Sequence, residues 1–275
     1  MIGAPDVPEP VGQRLDTALT ERGIARSRTH AAELIATGRV RIGGKAVIKA
    51  SYRVPEGTEI TVDRLDHYVS RAAHKLMAGL DAFAVDVAGR DCLDIGASTG
   101  GFTQVLLERG AREVVALDVG HTQISPLLRS DERVKVLEGV NARYLTPENL
   151  TGLLGVPFAA TVVVADLSFI SLTMVIPALK ATAAPDTDFI FLIKPQFEVG
   201  KTRIREGIVT NPALRSDAVT KVLWAAFDNG LGTAGLISSP IIGALGNHEF
   251  VVWFSASRGT NPTEWLDTVT KLAGA

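Results

Sequence analysis

The sequence predicts a two-part α/β protein: a doubly wound, mostly parallel sheet domain preceded by a small α+β domain. Three observations lead there. The 275 residues suit two domains. Short apolar runs alternate with helical stretches through the last three quarters of the chain. The first quarter differs from the rest in charge.

The segment from Val11 to Arg53 holds nine basic residues against Asp16, Glu21 and Glu33. The whole chain carries a net charge of −2, so the remainder is acidic and this end is a basic lobe. Leu15, Ala18 and Leu19 form a short helical stripe stopped by Gly23. Ser27 is placed to cap a second helix carrying Ala31, Leu34 and Ile35, which ends at Gly38. RVRIGGKAVIKA reads as a hairpin turning at Gly43-Gly44, and GTEITV as a further strand. The expected boundaries are a tail over 1–10, a basic domain over 11–63, a linker over 64–70 and a sheet domain over 71–275. Strands are expected in DCLDIG, VVALDV, VKVLEGVNAR, TVVVADLSF, FIFLIKP and EFVVWFSA, with helices over 102–109, 171–181 and 212–229.

Composition excludes several classes. Cys92 is the single cysteine, so neither a disulfide framework nor a zinc cluster is expected. It sits in an apolar strand, as a core residue does. The N-terminus lacks the basic and apolar regions of a secretory signal. The apolar run Leu167–Leu179 is too short for a membrane span. A cytoplasmic monomer without a metal is the expectation, and a pore-former is not.

The stretch DCLDIGASTGGFTQVLLER is a strand, a glycine-rich turn and a helix. Its glycines, Gly96, Gly100 and Gly101, do not have the spacing of a dinucleotide fingerprint. Asp94, just before the turn, would repel a phosphate but suits a ligand with an amino group and a sulfonium. Asp118, ending the next strand, is placed to take ribose hydroxyls. The expected cofactor is therefore S-adenosyl-L-methionine. Its cradle would be Asp94, Gly96, Ala97, Ser98, Thr99, Gly100, Gly101 and Phe102, with Asp118, Val119 and, near the adenine, Asn141.

Lys75, Asp166, Lys194 and Glu249 form a second set. Asp166 and Lys194 end apolar strands, where open α/β sheets bind ligands. A ribose hydroxyl is a poor nucleophile, so transfer of an activated methyl group to it requires a base. A lysine serves if desolvation and a second cation lower its pKa, with carboxylates fixing its position. Two lysines and two acids suit that chemistry.

The residues SRAAHKL, LDIGASTGGFT, ADLSFISL, KPQFE and GNHEF resemble the TlyA family of rRNA cytidine 2′-O-methyltransferases, also called haemolysin-like. The resemblance covers nearly the whole chain after residue 10. It implies an FtsJ-like catalytic domain with a Lys-Asp-Lys-Glu tetrad at Lys75, Asp166, Lys194 and Glu249, with Lys194 as base. It also implies an N-terminal RNA-binding domain of the ribosomal protein uS-four type, and Phe169 placed to stack on a base turned out of its helix. Family members with a full-length N-terminal lobe are expected to act on 16S and 23S rRNA, and shorter ones on 16S alone. The complete first helix, Arg14–Arg22, thus implies both subunits as partners, and an influence on antibiotic susceptibility. Arg14, Arg26, Arg28 and Lys45 are expected at phosphates, with Arg129, Arg133 and Arg143 extending the contact.

The alternatives fit less well. Base amino-methyltransferases place an Asn/Asp-Pro-Pro-aromatic turn where this chain has Asp166-Leu167-Ser168-Phe169. Pyrimidine carbon methylation requires a cysteine nucleophile, and a pseudouridine synthase has no use for the cofactor turn. An RNA-binding assembly factor with a non-catalytic methyltransferase fold is the remaining alternative.

Overall fold

A computed structural model describes residues 12–25, 27–62, 67–200, 207–243 and 246–274. The expected tail over 1–10, Arg26 and much of the linker over 64–70 lie outside the described residues. The chain divides into two compact units, one ending at His67 and one beginning at Tyr68.

The first unit runs β1 (Gln13–Arg14), α1 (Leu15–Glu21), α2 (Arg28–Ala36), β2 (Val40–Ile42), β3 (Lys45–Ala46), β4 (Arg53–Val54) and β5 (Ile60–Val62). Its helices form where the apolar stripes stand. Leu15, Ala18 and Leu19 of α1 pack with Ala31, Leu34 and Ile35 of α2 in one buried cluster. Ser27 Oγ accepts from His30 N, the expected cap of α2. Gly43 and Gly44 both have positive φ, which gives the β2–β3 hairpin its tight turn. The pairing of β1 with β4 was not expected, because two-residue strands leave no periodic signal.

The second unit continues with α3 (Ala72–Phe83), β6 (Asp91–Ile95), α4 (Gly101–Glu108), β7 (Glu113–Asp118), α5 (Pro126–Arg129), β8 (Val134–Glu138), α6 (Pro147–Leu154) and β9 (Val162–Ala165). Then follow α7 (Ile176–Thr182), β10 (Asp188–Ile193), α8 (Pro195–Glu198), α9 (Pro212–Asp228), β11 (Gly232–Ser238), β12 (Phe250–Ser255) and α10 (Leu266–Ala273). Among the described residues seven strands form a sheet in the order β11-β12-β10-β9-β6-β7-β8. Parallel pairing joins β10, β9, β6, β7 and β8, while β12 runs antiparallel between β10 and β11.

Both faces of the sheet are covered, which is why the central strands read as continuous apolar runs. Cys92, Val162 and Val164 pack with α3 and α4 on one face. Leu93, Ile95, Val163 and Ala165 pack with α7, α9 and α10 on the other. Cys92 is fully buried, as expected of a core residue, and burial pushes its thiol up to about 12.

Two features place the site. The order reverses at β6, so β6 and β9 leave in opposite directions and open a crevice at their carboxyl ends. Antiparallel β12 begins where β10 ends, with Phe250 opposite Ile193. The start of β12 thereby joins the same edge.

Candidate active site

At the carboxyl end of β6 the chain turns sharply through Gly96 and Gly100, both with positive φ. A Cβ on Gly96 would lie 2.7 Å from the Asp166 carbonyl oxygen, so only glycine lets this turn lie against the end of β9. A Cβ on Gly101 would meet Ser70 Cβ at 2.8 Å. Ser98 and Thr99 are exposed at the turn, and Ala97 is buried beneath it. Phe102 is also buried, in the apolar cluster under α3, and contributes packing.

Asp94 is completely buried. Its Oδ2 accepts from Thr103 Oγ1 at 2.6 Å, and Oδ1 has no hydrogen-bond partner. Burial, with added like charge from Asp166 and Asp118, raises its carboxyl to about 7. Asp118 holds the turn from the next strand. It accepts from Ser98 N at 2.8 Å and from Gly120 N at 2.7 Å. Val119 beside it is 67% exposed. Asn141 caps a short 3₁₀ helix, accepting from Arg143 N at 3.0 Å.

The four residues of the second set form two ion pairs. Lys194 follows β10 and Asp166 follows β9, and Lys194 Nζ lies 2.6 Å from Asp166 Oδ1. That contact is an ion pair without hydrogen-bond alignment, since Asp166 Oδ1 has no aligned donor. Lys194 Nζ donates instead to Ser168 Oγ at 3.1 Å. Lys75 Nζ, on α3, donates to Glu249 Oε2 at 2.6 Å, with both residues buried. Gly79, one turn beyond Lys75, brings α3 close to the sheet: a Cβ there would lie 2.7 Å from Val251 Cγ1. Glu249 immediately precedes β12, which carries it to the end of β10. Gly243 leaves it room, because a Cβ there would meet Glu249 Oε1 at 2.4 Å.

Phe169 is 92% exposed with φ of +67°, so it is not a core phenylalanine. Its ring rests at 5.3 Å from that of Phe197, tilted by 53°. An exposed aromatic in a strained backbone conformation, directly after the Ser168 that Lys194 contacts, is unusual for packing alone.

In the N-terminal unit Arg14 and Arg28 converge on one acid. Arg14 contacts Asp16 Oδ2 at 3.0 Å and Arg28 contacts it at 3.1 Å. The Arg14 hydrogen bond holds the Asp16 carboxyl well below the usual range. Lys45 is exposed. On the sheet domain, Arg129 pairs with Glu138 at 2.6 Å and Arg133 with Asp131 at 2.7 Å. Arg143 lies over the exposed Tyr144 ring at 5.6 Å.

Sequence reasoning passed over four residues here. Ser168, Glu198 and Thr103 all lay inside quoted motifs. Asn247, within GNHEF, is the fourth. It accepts from Val209 N at 2.9 Å and donates to Gly207 O at 2.8 Å, which fixes the loop before Glu249. The motif itself was the available signal.

The sequence model of the FtsJ-like methyltransferase family matches residues 68–256, and that of the S4 domain matches residues 13–60. A 16S/23S rRNA (cytidine-2′-O)-methyltransferase TlyA from Mycobacterium tuberculosis is 51% identical over 243 residues, 87% of this chain and 88% of that one. A 23S rRNA (cytidine-2′-O)-methyltransferase TlyA from Campylobacter jejuni is 33% identical, over 83% of this chain and 94% of its own. A solved structure from Streptococcus thermophilus, bearing a hemolysin name, matches with a TM-score of 0.73 at 34% identity and covers 95% of each chain. The Campylobacter name specifies 23S alone, at odds with the expectation that members of narrower action modify 16S.

Proposed function

Because the chain belongs to the FtsJ-like methyltransferases, as a member of the TlyA family, we propose that it methylates the ribose 2′-hydroxyl of cytidine in 16S and 23S rRNA within ribosomal subunits. The observation that carries this reading is the Lys194–Asp166 pair. It stands at the ends of β10 and β9, against the glycine turn. The donor set of that turn fits S-adenosyl-L-methionine. Asp94 Oδ1 is a buried acceptor lacking a partner, suited to the ligand's amino group. Asp118 suits the ribose hydroxyls, Ser98 and Thr99 the open rim, and Asn141 and Val119 the adenine side. When bound, S-adenosylmethionine supplies a methyl group already activated on sulfur.

The chain's own residues then have two tasks. Lys194 Nζ, entering the step as the neutral amine, takes the 2′-hydroxyl proton as the ribose oxygen takes the methyl group, and the ammonium that results is held by Asp166 and Ser168. Lys75 and Glu249 form a buried brace that fixes α3 to the start of β12 and supplies the neighbouring charges. Phe169 stacks on the turned-out cytosine, orienting the ribose toward Lys194. The S4 domain contributes Arg14, Arg28 and Lys45 to RNA phosphates. Ribosomal subunits as substrate imply a cytoplasmic enzyme. Among the described residues no helix is long and apolar enough to cross a membrane.

The test is incubation with labelled cofactor and separate 30S and 50S subunits, followed by mapping of reverse-transcription stops at low nucleotide concentration. Stops at cytidines carrying ribose label are expected in both subunits. Label on a base would refute the reading.

A further inference from the structure

The mechanism above leaves one buried acid beside the site without a task. Glu198 is 4% exposed and ends α8, the four-residue helix that begins directly after Lys194. Its Oε1 accepts from Leu172 N at 2.8 Å, and its Oε2 from Ser171 Oγ. Both partners lie in the loop after β9, the loop that carries Asp166, Ser168 and Phe169. The backbone carbonyl of Glu198 is itself anchored, accepting from Lys221 Nζ of α9 at 3.0 Å. One residue earlier, Phe197 supports the Phe169 ring.

We propose that Glu198 is a positioning residue for methyl transfer, tying the loop after β9 to the turn after β10 so that Lys194, Ser168 and Phe169 face one acceptor. Lys194 comes from one strand end, and Ser168 and Phe169 come from its neighbour. A strand pairing fixes the relative height of the strand ends but not of the loops beyond them. The Glu198 carboxyl supplies that missing register with two hydrogen bonds. Phe169 shows why such a tie is needed. Its backbone stands in the left-handed region, which a non-glycine residue leaves when nothing holds it. Burial raises the Glu198 carboxyl, in keeping with a group that interacts with neutral donors more than with a cation. A purely structural role would cost folded protein. The role proposed costs rate, with the cofactor bound as before.

The proposal rests on the ribose methyltransferase reading, and its test is kept separate by counting label transferred to either subunit whatever atom receives it. Single-turnover rates and cofactor dissociation constants are compared for wild type, E198A, E198Q and S171A. E198A is expected to lower the rate at least tenfold while cofactor affinity stays within twofold. E198Q is expected to recover most of that loss, because its amide oxygen accepts from Leu172 N–H and its amide nitrogen donates to Ser171 Oγ. S171A, which loses one of the two ties, is expected to fall severalfold and decides the matter should E198A not fold. A wild-type rate in E198A or in S171A overturns the proposal. So does a loss in E198A that merely follows the fraction of protein able to bind cofactor. Label mapped to a base in the wild type would sink the ribose reading and leave the rates of these variants to judge Glu198.

Discussion

The two lysines of the site, Lys75 on α3 and Lys194 at the end of β10, differ in what surrounds them. Lys75 is locked to Glu249 within the packing of α3 on the sheet, whereas Lys194 meets a half-buried aspartate and an exposed serine. That contrast is why the proposed function gives the incoming hydroxyl to Lys194. Lys194→Ala is expected to remove a base worth roughly a hundred- to ten-thousandfold in rate, with cofactor binding and melting temperature near wild type. Full activity in a folded variant would exclude Lys194 as the base. Asp94 gives a pH prediction. Its carboxyl is raised to about 7 by burial, against about 3.9 in an open chain. Between those values the folded state keeps a proton that the unfolded state has lost, so the ligand-free protein loses stability as pH rises through that window. A cationic ligand amino group favours the ionised carboxylate, so binding in acid must release the proton. Cofactor affinity is expected to increase from pH 5.5 to about 7, by no more than about tenfold per unit, and then to level. Asp94→Asn should flatten the profile. Calorimetry in buffers of different ionisation enthalpy reads the released proton directly, and an equal slope in both proteins would contradict the assignment.

At the scale of elements, the loop after β9 holds backbone strain at an exposed aromatic. Phe169 has positive φ and 92% of its surface open, so its side chain contributes little to the core. Phe169→Gly relieves the backbone and is expected to leave thermal stability equal or higher, by up to about 1 kcal/mol. Methylation should fall at least tenfold, since the stacking surface goes with the ring. A variant both less stable and fully active would reverse that account. The same loop shows what the sequence could and could not reveal. Strands β6, β7, β9, β10 and β12 were legible because burial on both faces writes continuous apolar runs. The strand ends then carried Asp118, Asp166, Lys194 and Glu249 in plain view. β11 was not legible, because glycines interrupt its pattern. Gly232 lies where a Cβ would come 2.4 Å from the Gly259 carbonyl carbon, and at Gly235 one would come 2.5 Å from the Phe83 ring. These glycines record close approach in space, which no local period reports. Glu198 was hidden for the same reason: its partners lie 26 and 27 residues away and meet it only in the fold.

Across the whole molecule the charge is divided by unit. The stretch from Val11 to Arg53 is net basic and the remainder net acidic, so the proposed function divides affinity for RNA and chemistry on RNA between different parts of the chain. The structure refines which cations act. Arg129 and Arg133 are neutralised by Glu138 and Asp131, leaving Arg143 as the stronger candidate on the sheet domain. In the S4 domain Asp16 offsets one charge of the Arg14–Arg28 pair, so those two arginines together present a net single charge. Removing both would leave the buried Asp16 carboxylate without a cation, held only by the Thr17 N–H and hydroxyl. Arg28→Ala is the cleaner change, since Arg14 continues to hold Asp16. Each cation that meets a phosphate releases counterions, contributing about 0.7–0.9 to the slope of log affinity against log salt. Arg28→Ala and Lys45→Ala are therefore each expected to weaken binding to ribosomal subunits and to lower that slope by about one. The double variant should lower it by about two, because the two side chains share no partner. Titration of labelled subunits between 50 and 200 mM salt measures the slope, while cofactor affinity, set by the other unit, should not change. An unaltered slope in the double variant would mean that the RNA is held by some other surface of the chain.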